Sequence, residues 1–259
     1  MDSNKMKEIV KDKYAKIAGK EKGCSCCGGN EDYSFVGESY QQIEGYVENA
    51  DLGLGCGLPT EFAMIEEGNH VIDLGSGAGN DVFIARRLVG ESGKVTGIDF
   101  TEEMIGKAEE NLRKLNLYNI EFKLGEIENL PIENDSTDVV ISNCVLNLVP
   151  DKEKAFQEIY RTLKPGGHFC VSDIVLKGEL PALLRTEAEL YAGCIAGAVN
   201  FEEYIRIVEK SGFKNVEVKK IREIEIPDAI LGSILSPEKI AAYKSSGAGI
   251  FSLTVVGFK

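Results

Sequence analysis

Asp73-Leu74-Gly75-Ser76-Gly77-Ala78-Gly79-Asn80 follows the apolar run HVIDL (70–74) and opens a stretch of helical spacing over 80–89. A glycine-rich turn between a strand and a helix lets a ligand lie against backbone, and the helix start offers N–H groups that have no partner inside the helix. Working outward, KVTGID (94–99), IEFKLG (120–125), DVVISN (138–143) and HFCVSD (168–173) read as strands, and 102–115 and 151–163 as helices. The helix over 102–115 should take Thr101 as its N-cap, with Glu102 and Glu103 in the first turn, where acids suit the positive helix end. Pro165, Gly166 and Gly167 should stop the helix over 151–163 before the fifth strand. Short β-branched runs alternating with amphipathic helices predict a parallel sheet with crossover helices, an α/β, doubly wound, Rossmann-like fold.

The sequence divides around that core. Residues 1–69 are expected to form an N-terminal cap, with a charged helix over about 4–18, a Gly/Cys-rich segment GCSCCGG (23–29) and a short helix near 60–67. Residues 70–175 form the nucleotide-binding core. Residues 176–259 are expected to carry a lid helix through 181–192, a helix over 201–211, and strand-like runs at 215–226 and 250–258 that extend the sheet as an antiparallel hairpin.

Of 259 residues, 29 are Lys or Arg and 42 are Asp or Glu, a formal charge of −13. So acidic a molecule repels nucleic acid and anionic lipid, and no basic run offsets this, so neither is an expected partner. No apolar run is long enough to span a bilayer, and MDSNKMKEIVKDKYAK alternates charges where a signal peptide would place an apolar block, which points to a soluble, cytoplasmic protein. Seven cysteines is an odd number in a chain large enough to fold without bridges, so these thiols read as chemistry or core rather than as a disulfide framework.

The glycine turn has its own chemistry. A dinucleotide site wants a third glycine at position 80, which is Asn80; the spacing here is Gly-x-Gly-x-Gly, with Asp73 two residues ahead of Gly75. A carboxylate there suits an ammonium group and not a pyrophosphate, so the pattern fits S-adenosylmethionine better than a nicotinamide dinucleotide. Asp99, at the end of the next strand, is placed to accept from two ribose hydroxyls. Glu126 and Ile127, after the third strand, could flank an adenine ring. The candidate donor-binding set is therefore Asp73, Gly75, Ser76, Gly77, Gly79, Asp99, Glu126 and Ile127.

Methylation of oxygen or nitrogen usually removes a proton, yet the chain has only two histidines, His70 and His168, both in positions that read as structural. Thiols are plentiful instead. Cys144 falls just past the fourth strand, at the carboxyl edge where open α/β sheets bind ligands. Cys56, in Gly55-Cys56-Gly57, and Cys194, in Gly193-Cys194-Ile195-Ala196-Gly197, are flanked by small residues and would converge on the same edge as a soft-ligand site. Cys24-Ser25-Cys26-Cys27 lacks the paired spacing of a zinc site, and Cys170, between Phe169 and Val171, reads as core.

Asp51-Leu52-Gly53-Leu54-Gly55-Cys56-Gly57-Leu58-Pro59-Thr60, VIDLGSGAGND, Ser142-Asn143-Cys144-Val145-Leu146-Asn147-Leu148-Val149-Pro150-Asp151 and Gly193-Cys194-Ile195-Ala196-Gly197-Ala198 together resemble the arsenite S-adenosylmethionine methyltransferases, within the class I methyltransferases. The resemblance implies that Cys144 and Cys194 hold arsenic, from arsenite or its thiol conjugates, and that Cys56 joins the redox step. It also implies that Cys26 and Cys27 act as a disulfide relay reset by thioredoxin or glutathione. Trivalent arsenic bound by thiolates keeps a lone pair that can attack a sulfonium methyl without a base, which suits a chain rich in thiol and poor in histidine. Two other readings remain open: a methyltransferase of an organic small molecule, since GEIENLP and LKPGG also occur in quinone-biosynthesis enzymes, and a thiol protein that binds or senses a thiophilic metal.

Overall fold

Side chains on successive residues of a strand point to opposite faces, and here both faces are covered. On one side Ile72, Leu74, Val140, Phe169 and Val171 pack with Phe156, Ile159 and Tyr204. On the other, Val71, Val95, Val139, Ile141 and Cys170 pack with Val82, Phe83 and Val89. That double burial is why the strands read as continuous apolar runs.

The computed structural model describes residues 3–19, 38–181, 184, 195 and 197–259. After α1 (Ser3–Ala18) come β1 (His70–Leu74), α2 (Asn80–Val89), β2 (Lys94–Asp99), α3 (Glu102–Leu115), β3 (Ile120–Leu124), β4 (Thr137–Asn143), α4 (Lys152–Thr162) and β5 (Leu163–Lys177). They are followed by α5 (Phe201–Lys210), β6 (Lys214–Ile224), α6 (Asp228–Ile234), α7 (Pro237–Ser246) and β7 (Gly249–Phe258). One seven-stranded sheet runs β3-β2-β1-β4-β5-β7-β6. The first five strands pair in parallel, and β7 is antiparallel to both β5 and β6. This is the doubly wound sheet that the alternation of elements predicts.

Four local expectations change. The helix near 60–67 is only a 3-10 turn over Pro59–Glu61, and Met64, at φ +44°, adopts a left-handed conformation that a right-handed helix cannot contain. Pro165-Gly166-Gly167 does not end α4: the helix stops at Thr162, β5 begins at once, and the triplet lies where β5 shifts its register against β4. Thr101 sits at the N-cap position but makes no side-chain cap, and its own N–H donates to Asp99 at 2.8 Å. The last two strands do extend the sheet as an adjacent antiparallel pair, but α6 and α7 lie between them in the chain where a tight hairpin turn is expected. Most of the lid helix expected at 181–192 falls outside the described residues.

His70 and His168 are structural. His70 starts β1, with Nδ1 3.1 Å from the Ser136 carbonyl and Nε2 3.1 Å from Thr96 Oγ1, and burial lowers its pKa. His168 Nε2 lies 2.6 Å from the Ala63 carbonyl. Cys170 is fully buried, donates to the Pro59 carbonyl at 3.2 Å, and has its pKa pushed far up by burial. Among the described residues no helix is long and apolar enough to cross a membrane.

Candidate active site

The carboxyl ends of β1, β2 and β4 open into one pocket. Its floor is the glycine turn, where the Gly75 and Ser76 N–H groups donate to the Ile98 carbonyl at 2.7 and 3.0 Å and tie the turn to β2. A Cβ on Gly75 would stand 2.5 Å from Val145, so only glycine lets the turn approach the loop after β4 this closely. At Gly77, by contrast, a Cβ would meet nothing within 4 Å, which leaves open space above the backbone. Gly79 does not line the pocket: it caps α2 at φ +97° and packs against Phe83 and Phe122.

Asp73, Gly75, Ser76, Gly77, Asp99, Glu126 and Ile127 all line this pocket, as their sequence positions predict. Asp99 accepts from the Gly77 and Thr101 N–H groups at 3.0 and 2.8 Å, so the acid also holds the turn. Its pKa is raised, as burial outweighs those hydrogen bonds. Burial also raises Asp73, with Asp81 and Asp99 adding repulsion. Three buried acids on one wall favour a cationic ligand.

Reading the sequence missed Asp81, Tyr40 and Asn143. Asp81 Oδ2 accepts from Tyr40 Oη at 3.1 Å and from Asn143 Nδ2 at 3.2 Å. Burial raises its pKa to about 6 against the pull of those two donors. The one local signal is the single Asp81 in Asn80-Asp81, directly after the glycine turn; the Tyr40 and Asn143 partners come from distant segments and leave no local pattern.

Asn143 is also the clamp on the first cysteine. Its Oδ1 accepts from the N–H groups of Cys56 at 3.0 Å and Gly57 at 3.3 Å, while its Nδ2 donates to the Gly57 carbonyl at 2.8 Å and contacts Tyr40 Oη. A Cβ on Gly57 would come within 2.7 Å of Ser172, so the Gly-Cys-Gly loop lies flat against the ends of β4 and β5. Ser252 Oγ and Arg222 donate to the Cys56 carbonyl at 2.7 and 3.3 Å.

The structure thereby brings Cys56 and Cys144 into one buried cluster with Ile174, Leu176, Ile195 and Ala198. Cys144 lines the donor pocket, whereas Cys56 lies behind it, fully buried. Cys26, Cys27 and Cys194 lie outside the described residues. Among the described residues, no group of three His, Cys, Asp or Glu side chains is arranged to hold a metal ion.

The pocket fits S-adenosylmethionine. The Ser76 hydroxyl and Asp81 Oδ1 are buried without a hydrogen-bond partner among the described residues, the acids oppose a sulfonium and an ammonium, and open space lies over Gly77. Fold and site together define the class as the Rossmann-like methyltransferase fold, with a pocket that fits this donor. A family model described as a methyltransferase domain matches residues 65–228. An arsenite methyltransferase of Halobacterium salinarum is 39% identical over 232 residues, covering 84% of this chain and 59% of that protein. The crystal structure of CrArsM, an arsenic(III) S-adenosylmethionine methyltransferase from Chlamydomonas reinhardtii, superposes with a TM-score of 0.66 at 33% identity, covering 90% of this chain and 74% of that one. A demethylmenaquinone methyltransferase of Lactobacillus johnsonii is 36% identical over 212 residues, 73% of this chain and 86% of that protein. The chain belongs to the methyltransferase-domain family and, within it, to the arsenite methyltransferases. It spans about three fifths of the length of the Halobacterium relative.

Proposed function

We propose that the protein methylates trivalent arsenic, from arsenite or its thiol conjugates, with S-adenosylmethionine as donor. The observation that carries this reading is that Cys56 and Cys144 share one buried cluster, with Cys144 on the wall of the donor pocket and Cys56 behind it. Ile195, the neighbour of Cys194 in sequence, packs in the same cluster, which supports Cys194 as a further arsenic ligand. The match to Lactobacillus demethylmenaquinone methyltransferase favours a second reading, carbon methylation of an organic acceptor, which has no use for buried thiols.

In the proposed mechanism the Cys144 and Cys194 thiols displace hydroxides from arsenic, each proton leaving with hydroxide as water. The donor, when bound, supplies an electrophilic sulfonium methyl. Asp73 and Asp81 would hold its positive charge, Asp99 would accept from its ribose hydroxyls, and the Gly75–Val145 contact fixes the donor loop against the residue after Cys144. Arsenic held by those two sulfurs would keep its lone pair, and a donor bound in the adjoining pocket would supply it a methyl, an As–C bond replacing the C–S bond whose electron pair stays on sulfur. Most of the gain is proximity and orientation. Arsenic gives up two electrons formally, and two thiolates that close to a disulfide return them. In this reading Cys56 belongs to that couple, Cys26 and Cys27 relay the disulfide outward, and thioredoxin or glutathione in the cytoplasm resets it.

The test is to incubate the purified protein with arsenite, S-adenosylmethionine and a thiol reductant, then separate the arsenic species by chromatography with elemental detection. Methylated arsenic is the expected product. Unchanged arsenite, from protein that demonstrably binds the donor, would move the assignment to an organic acceptor.

A further inference from the structure

One wall of the donor pocket is α1. Lys7, Val10 and Tyr14, spaced three and four residues apart on one helical face, line the same pocket as Glu126, Ile127 and Glu128. Lys7 joins the two walls directly: its Nζ lies 2.7 Å from Glu126 Oε2 and also pairs with Glu128. The two carboxylates are not equivalent. The Glu128 side chain is 10% exposed and its other oxygen accepts from the Asp151 N–H at 3.1 Å, so it is a fixed post; Glu126 is 55% exposed and can turn. At the far end of α1, Lys107 on α3 donates to the Ala18 carbonyl at 3.0 Å. The helix is thus pinned at one end and ion-paired at the other.

We propose that α1 is the moving wall of the donor pocket and that Lys7, bridged to Glu126 and Glu128, is the latch that holds it shut, so that donor entry and product release wait on the opening of this bridge. A helix of 16 residues is marginal by itself in water, so its docked position depends on such contacts. A partly exposed ion pair is weak and screened by salt, which is what a contact broken in every turnover must be. Lys7 is a positioning residue here: it acts by holding Val10 and Tyr14 over the site. The proposal stands on the donor pocket alone and needs no arsenic.

The test follows release of tritiated S-adenosylmethionine from the full chain in a rapid-filtration chase with excess unlabelled S-adenosylhomocysteine, at low and high potassium chloride. Wild-type release should speed up with salt by roughly two- to fivefold, the range a bridge of this exposure can supply. Lys7→Met should release the donor fast at every salt concentration, and Lys7→Arg should restore the slow, salt-sensitive rate. Hydrogen exchange should show α1 amides gaining protection on donor binding in the wild type and less in Lys7→Met. Glu128→Gln, which removes a partner charge rather than the lysine, must speed release in the same way. Wild-type release rates in folded Lys7→Met and Glu128→Gln, or equal salt dependence in variant and wild type, would overturn the latch. Since no arsenic is present, failure here leaves the substrate assignment intact, and failed arsenic methylation leaves the latch standing.

Discussion

Cys144 carries φ +61°, a left-handed conformation that disfavours a side chain by roughly 1–2 kcal/mol, and its N–H is anchored on the Ser172 carbonyl at 2.7 Å. A strained, anchored residue at the donor wall is how a fold aims one sulfur. Cys144→Ser keeps the backbone and shape but removes the soft ligand, so arsenic turnover should fall by roughly a hundredfold or more while calorimetry finds donor affinity unchanged. Retained turnover would remove Cys144 from the reaction. Asp173 gives a prediction about pH. Fully buried on β5, its pKa is raised to about 7 by burial, against the Lys152 charge and hydrogen bonds from Ile174, Tyr204 and Asn147. An unfolded aspartate titrates near 4, so between about 4 and 7 the native state holds the extra proton, and stability falls as pH rises through that window. Asp81, raised to about 6, acts in the same direction. Glu121 acts in the opposite one: burial would raise it, but Lys94, Lys123 and Thr96 hold it down to about 2, so its contribution is lost as pH falls below about 4.5. Chemical denaturation across pH should therefore show Asp173→Asn flattening the slope between pH 4 and 7, an effect on the order of a few kcal/mol. An unchanged slope would mean that Asp173 is not the group responsible.

At the level of elements, the decisive contact is loop on loop. Gly75 packs against Val145, with a would-be Cβ 2.5 Å from its methyls and φ at +68°. Gly75→Ala should destabilise the protein by roughly 2–4 kcal/mol and weaken donor binding. Adding Val145→Ala should recover part of that loss, because the clash disappears and the unfavourable φ stays; denaturant melts of the single and double variants measure both. Local pattern made this region legible: the glycine turn, Asp99 one crossover later, and Cys144 at a strand end are each set by neighbours in sequence. Asn143 is legible only as part of a motif, because its meaning lies in Asp81, Tyr40 and Gly57, far away along the chain. The helix over 60–67 failed for a similar reason. Its apolar spacing is real, but Phe62 and Ile65 serve packing against the α2 side of the sheet and need no helix to do so. Nor does sequence spacing tell that Lys7, Val10 and Tyr14 face a ligand rather than core; only the docking of α1 does.

For the whole molecule, strand order matters most. Periodicity identified β6 and β7 as strands, but their order across the sheet depends on pairings that no local pattern encodes. The structure places β7 between β5 and β6, pairing it from His168 to Lys177 on one side and to β6 on the other. Leu253 and Val255 enter one core, and Val256 the other. A chain cut after Ala248 should therefore lose cooperative unfolding by circular dichroism, although the glycine turn, Asp99 and both described site cysteines would all still be present. A cooperative melt in that truncated chain would show that the parallel half folds alone.

The same arrangement sets a schedule for synthesis. About seventy residues separate Lys177 at the end of β5 from Gly249 at the start of β7. At roughly 5–20 residues per second, a ribosome needs several seconds to cover that stretch. Throughout that interval the edge of β5 is finished but unpaired, an open template of the kind that recruits foreign strands. Cys56 and Cys144 wait in the same unfinished state, since the Ser252 hydroxyl that fastens the Cys56 carbonyl comes with β7. A nascent chain that meets a thiophilic metalloid in those seconds offers it loose thiols rather than a formed site, so the hazard this enzyme is proposed to remove is also one to which its own birth is exposed.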